Sequence, residues 1–216
     1  PFIRSTVDSL EWHKKLAEDD TFDVKVLPAW RPDKAMNIEK PEYLDYLNTL
    51  SDVSGIKVNS FASLMDALRN RMQFFDSMGC SVSDHALEYV MYKPYTDAEI
   101  EAIFAKRLSG EAITTEEMNK FKTAFMVSVG KEYNKLNWVM QLHYGTIRDN
   151  NVFRYNQLGP DTGFDCINTY DCSAEMAQFL NALNSTDELP MTNIALDTIN
   201  VSLIYHLFLA ELILNS

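Results

Sequence analysis

Four short runs of apolar and β-favouring residues, DVKVLPAW (23–30), CSVSDHA (80–86), WVMQLHYG (138–145) and PMTNIALD (190–197), punctuate the chain. Each is too brief for a helix and rich in residues that suit a pleated surface, so each predicts a buried strand. Between them apolar positions recur at helical spacing. DSLEWHKKLAEDD (8–20) predicts a helix with Asp8 as cap and Glu11 three residues on. SFASLMDALRNRMQFFDSMG (60–79) sets Leu64, Leu68, Met72 and Phe75 on one stripe, with Ser60 as cap and Gly79 as stop. Thr96 with Glu99 and Thr114 with Glu117 form capping boxes for helices over 97–108 and 116–136, with Gly110 as the stop between them. SAEMAQFLNALNS (173–185) supplies a further helix before the last strand.

Strands alternating with helices imply an α/β fold with parallel strands. The helical pair over 96–136 is longer than a simple crossover needs and reads as an excursion. No repeat and no Pro/Gly/Ser-rich linker divides the chain, so residues 1–216 read as one domain or a continuous piece of one.

Composition narrows the classes. A hydrophobic fraction of 46% with only 7 Gly and 7 Pro fits a packed core and excludes a disordered chain. The net charge of −12, without a cluster of Lys and Arg, argues against nucleic acid as a partner. An anionic small substrate would need one or two well-placed arginines working against that field. Cys80, Cys166 and Cys172 form no C-x-x-C pair, so a reduced, cytoplasmic compartment is expected and a cysteine-based metal site is not. No cleavable signal is expected in residues 1–10, which carry Arg4 and Asp8. The apolar tail VSLIYHLFLAELIL (201–214) is broken by His206 and Glu211 and falls short of the roughly 18 apolar residues of a membrane span. It is expected to be a buried or partner-facing helix.

Ligands of parallel α/β folds bind where the strands end, because the loops and helix amino termini converge there. That rule selects Arg31, Asp84 with His85, and His143. Arg31 suits a bidentate grip on a carboxylate, although pairing with Asp33 or capping a helix would equally explain it. Asp84 can accept a hydroxyl hydrogen bond or move a proton, or it can cap a helix running through residues 87–89. His143 can serve as acid, base, electrophile, metal ligand or hydrogen-bonded structural histidine. His13, His206 and the cysteines read as structural. No G-x-G-x-x-G, G-x-x-x-x-G-K-[ST] or G-x-S-x-G occurs, which removes the usual nucleotide and serine-hydrolase signatures.

AWRPDKAM, SVSDHALE, WVMQLHYGTIRDNN and QLGPDTGFDCI, in that order, resemble the uronate isomerase family, also called glucuronate isomerase, over roughly residues 8–190. The resemblance implies a metal-dependent, amidohydrolase-like (β/α)8 barrel of the TIM type with a helical insertion, to which residues 96–136 would belong. It implies interconversion of D-glucuronate with D-fructuronate and of D-galacturonate with D-tagaturonate, a hexuronate as substrate, a divalent metal (zinc or manganese) and a homo-oligomer. By the same resemblance Arg31 and Arg148 would bind substrate, Asp84 and His143 would be active-site residues, and the loop of Gly159, Pro160, Asp161, Thr162 and Gly163 would be a lid or wall. Asp149 stands where the family's R-N-N-N stretch has its first asparagine. The family's H-x-H pair occurs nowhere here, nor does its late aspartate followed by arginine, so the metal ligands are absent from this chain. The chain is therefore expected to be an internal or truncated portion of such an enzyme, short of a complete site. The alternatives are a non-catalytic half-barrel remnant that associates with another chain, and a metal-dependent hydrolase of the same superfamily.

Overall fold

The alternation V-M-Q-L-H-Y decides how the central strand sits. In the structure, a computed structural model that describes residues 2–159 and 162–196, Met140, Leu142 and Tyr144 are buried while Val139, Gln141 and His143 are only half-buried. One face of the strand therefore packs on helices and the other stays polar, as a period of two requires. The strands are β1 (Phe2–Ser5), β2 (Pro28–Arg31), β3 (Val82–Leu87), β4 (Val139–Tyr144), β5 (Thr146–Ile147), β6 (Cys166–Ile167) and β7 (Thr192–Leu196). Five of them form one parallel sheet in the order β1-β2-β3-β4-β7, and β5 with β6 makes a small antiparallel ladder.

The register of that sheet aligns the polar face. Ser5 pairs with Arg31, Trp30 with Ser83, Asp84 with Gln141, and Gln141 with Asn193. Paired residues of parallel strands share a face, so Ser5, Arg31, Asp84, Gln141 and Asn193 form a cross-strand row. His143 stands two residues further toward the carboxyl end of the same face.

The opposite face is covered by helices α1 (Glu11–Ala17), α2 (Asp33–Met36), α3 (Tyr43–Ser54), α4 (Phe61–Ser77), α5 (Asp97–Leu108), α6 (Thr115–Leu136) and α8 (Ser173–Asn184), while α7 (Val152–Leu158) is exposed throughout. Trp30 meets Phe75 edge-on at 4.9 Å and Tyr133 stacks on Trp138 at 6.0 Å. Their polar atoms are satisfied. Trp30 Nε1 donates to the Tyr133 hydroxyl at 3.2 Å, and Trp138 Nε1 donates to Asp76 at 2.9 Å. Buried hydrophobic residues form one cluster from Leu10 to Leu183.

Ser60, Thr96 and Thr114 all cap as expected, each inside a capping box. Gly79 and Gly110 follow their helices at φ 84° and 83°, the left-handed region a glycine enters without steric cost. The N-terminal helix differs from expectation. Asp8 Oδ1 accepts from the Leu10 amide at 2.7 Å in a turn, and Leu10 occupies the cap position at φ 54°. Glu11 then opens the helix.

Strand boundaries also differ. Residues 23–27 are not a strand; residues 23–25 are exposed, and pairing with β1 begins at Pro28. The expected run at 190–197 pairs over Thr192–Leu196. β1 itself, which carries Arg4 and Ser5, was not expected and raises the parallel sheet from four strands to five. The apolar tail over 201–214 lies outside the described residues. Between β3 and β4 the chain runs through both α5 and α6.

Removing one cap tests this account of the helices. Thr114→Ala should lower unfolding free energy by about 1 kcal/mol, read as a lower urea midpoint at unchanged slope. No measurable shift would mean that packing alone sets where α6 begins.

Candidate functional site

Arg31 ends β2, Asp84 is the third residue of β3 and His143 the fifth of β4. The shared face brings all three together. Arg31 Nε lies 3.2 Å from Asp84 Oδ2, and His143 Nε2 lies 3.2 Å from Asp84 Oδ1. Asp84, almost fully buried, thus bridges a guanidinium on one side and an imidazole on the other. These residues line a cavity of about 430 Å³ together with Ile3, Thr146, Arg148 and Asp165.

The pairing of Arg31 with Asp33 is present. Arg31 Nε donates to Asp33 Oδ2 at 2.9 Å, and it also faces Asp84 across the cavity wall. Asp84 sits inside a strand, and residues 88–96 are not helical, so the helix-cap reading of Asp84 is overturned. His85, its neighbour, points to the helical face, fully buried beside Tyr133 at 5.7 Å between ring centres. Burial first, and the nearby Arg31 charge second, push its pKa down to about 3. It is a neutral core histidine, separated from the cavity by the sheet.

Of the polar stretch Arg148, Asp149, Asn150 and Asn151, Arg148 lines the cavity. Its Nη1 donates to Asp165 Oδ2 at 2.9 Å, and the Asp149 amide donates to Asp165 Oδ1 at 3.0 Å. Asp149 takes a left-handed φ of 57°. Asn150 bonds back to the Ile147 carbonyl, and Asn151 caps α7 by accepting from the Arg154 amide at 3.0 Å. Gly159 and Gly163 both have positive φ, while Pro160 and Asp161 lie outside the described residues.

Asp33, Gln141, Thr146 and Asp165 were not singled out as site residues. Gln141 had a legible signal, since it stands two residues before His143 on the same face and its amide contacts the His143 ring. Asp165 lies within the QLGPDTGFDCI motif, but its place at the cavity was not legible, because the β5–β6 ladder brings it in from a separate loop.

Burial raises the Asp33 carboxyl to about 6, against the opposing pull of Arg31 and the Ala86 amide, with Asp84 adding to the rise. Burial likewise pushes the Cys80 thiol up to about 11 and raises Cys172, which suits inert core thiols.

A resident metal does not fit the residues present. Among the described residues no three His, Cys, Asp or Glu side chains group as metal ligands. Asp84 and His143 would offer two donors, short of the three protein ligands that a catalytic zinc takes.

Residues 4–210 match the family model described as glucuronate isomerase. The uronate isomerase of Lachnospira eligens is 88% identical over 186 residues, which are 86% of this chain and 40% of that protein. That of Lachnoclostridium phytofermentans is 74% identical over the same shares. The crystal structure of uronate isomerase from Thermotoga maritima superposes with a TM-score of 0.83 at 31% identity, covering 90% of this chain and 42% of the other. Glucuronate isomerase from Caulobacter crescentus gives 0.80 at 26% identity, covering 92% and 40%. The chain spans about two fifths of the length of these relatives. Their fold is a TIM barrel, of which the five-stranded parallel sheet is a part.

The raised Asp33 carboxyl has a measurable signature. With a folded pKa of about 6 against 3.8 unfolded, the native state binds this proton more tightly. Its contribution to stability is full below the unfolded value and is lost as pH rises through the folded one. Carboxyl carbon NMR should therefore show Asp33 titrating near 6, and Asp33→Asn should remove that downward step from the stability profile. A midpoint at or below 3.8 is the contrary result.

Proposed function

Because the chain belongs to the glucuronate isomerase family, we propose that it forms the substrate-facing portion of a uronate isomerase. The reaction is the aldose–ketose interconversion of D-glucuronate with D-fructuronate, and of D-galacturonate with D-tagaturonate. The observation that carries the reading is the convergence of Arg31, Asp84 and His143 on one cavity along the polar face of adjacent parallel strands.

In this reading Arg31 grips the substrate carboxylate and Arg148 adds positive charge at the cavity mouth. Asp84 accepts hydrogen bonds from sugar hydroxyls or relays a proton. His143, held by Asp84, polarises the oxygens between which a proton moves as C2 and C1 exchange oxidation states through an enediol. The zinc or manganese that the resemblance implies would need ligands beyond Asp84 and His143. The group that carries the C–H proton is likewise assigned to the rest of a complete barrel.

A homo-oligomer and a cytoplasmic location belong to the same proposal. Among the described residues no helix is long and apolar enough to cross a membrane. The sheet leaves β1 and β7 as its outer strands, which favours a second arrangement in which another chain supplies the missing part of the barrel.

The test places this chain in a complete barrel, in exchange for the matching segment of the Lachnospira eligens isomerase. A coupled assay with D-glucuronate and D-galacturonate should show turnover, and His143→Ala should lower kcat by about a hundredfold. Unaltered turnover in His143→Ala would sink the reading. Turnover by the 216-residue chain alone, in an oligomer, would favour completion by another copy.

A further inference from the structure

We infer that Asp33, wedged between the Nε of Arg31 and the backbone amide of Ala86, is the positioning residue that aims Arg31 at the substrate carboxylate. The inference rests on the isomerase reading above and adds to it a residue with no contact to substrate.

An arginine at a strand end is a poor anchor unless something fixes it, because its long side chain samples many rotamers. Asp33 stands two residues beyond Arg31, at the start of α2. Its Oδ2 accepts from Arg31 Nε at 2.9 Å and from the Ala86 amide at 3.3 Å. One carboxylate oxygen therefore ties the arginine to its own strand end and to the neighbouring strand that carries Asp84.

The choice of donor matters more than the pairing itself. Both ion pairs of Arg31, with Asp33 and with Asp84, use Nε. A guanidinium is a rigid planar fork, so engaging Nε fixes the plane and leaves the edge formed by Nη1 and Nη2 for another anion. That edge matches a planar carboxylate in the cavity which Arg31 lines.

Asp33 is itself held from behind. The Tyr43 hydroxyl donates to the Ala35 carbonyl at 3.2 Å, and Arg107 donates to the carbonyls of Ile38 and Lys40 at 2.8 and 2.9 Å. Lys122 meets Glu39 at 2.9 Å. The segment bearing Asp33 is thus pinned by α5 and α6, and the pin reaches Arg31 through a single carboxylate.

A double-substitution cycle in the chimaeric barrel, assayed near pH 8, tests this. Asp33→Ala should raise KM for D-glucuronate by about 10- to 100-fold, the range of a hydrogen bond to a charged group, with kcat kept within about threefold. Asp33→Asn, which keeps an acceptor oxygen but no charge, should fall between. In an Arg31→Met background Asp33→Ala should raise KM no further. An equal rise in both backgrounds would show that Asp33 acts through the fold alone and overturn the inference, as would an unchanged KM in Asp33→Ala when Arg31→Met raises it. An unchanged KM in Arg31→Met would instead remove the carboxylate-anchor reading on which the inference stands.

Discussion

The two-residue alternation of β3 and β4 is the constraint on which the site depends. It sends Ser83, His85, Met140, Leu142 and Tyr144 into the helical layer and turns Asp84, Gln141 and His143 the other way. A slip of one residue would bury Asp84 among aromatic rings and put His85 in its place. The register is held by that asymmetry, since the core face holds large apolar groups, with Trp30 and Tyr133 paired through their polar atoms. The polar face can then carry charge because it borders a cavity and not a core.

Charge on that face is paired locally. One guanidinium stands against two carboxylates, Asp33 and Asp84, within 3.2 Å, and the second of these also meets an imidazole. A second pair, Arg148 with Asp165, repeats the pattern across the cavity.

Local signals were legible in the sequence and partner-dependent ones were not. Thr96–Glu99 and Thr114–Glu117 act within one helical turn, so a four-residue window contains the whole interaction. Arg31 and His143 were legible because strand ends are marked by the change from apolar to polar residues, whereas Asp84, picked by the same rule, lies inside β3 with three strand residues after it. The start of β2 was not legible, since residues 23–27 carry strand-favouring residues yet stay outside the strand, with residues 23–25 exposed. α3 escaped notice despite apolar positions at Tyr43, Tyr46, Leu47 and Leu50, because it has no side-chain cap to announce it. Asp165 arrives by pairing of Thr146 with Ile167 and Ile147 with Cys166, a contact no local window holds.

The bonds from Arg107 and Lys122 to the loop after α2 join residues 67 to 83 positions apart in the chain. Such closures come late in folding, because the entropy of the intervening chain must be given up before the contact forms. As the polypeptide is made, β2 and its arginine emerge long before α6 does. The strand can pair at once, but its loop gains the Arg107 bonds only 67 to 69 residues later and the Lys122 bond 83 residues later. The placement of Arg31 through Asp33 is therefore completed only with the docking of α5 and α6.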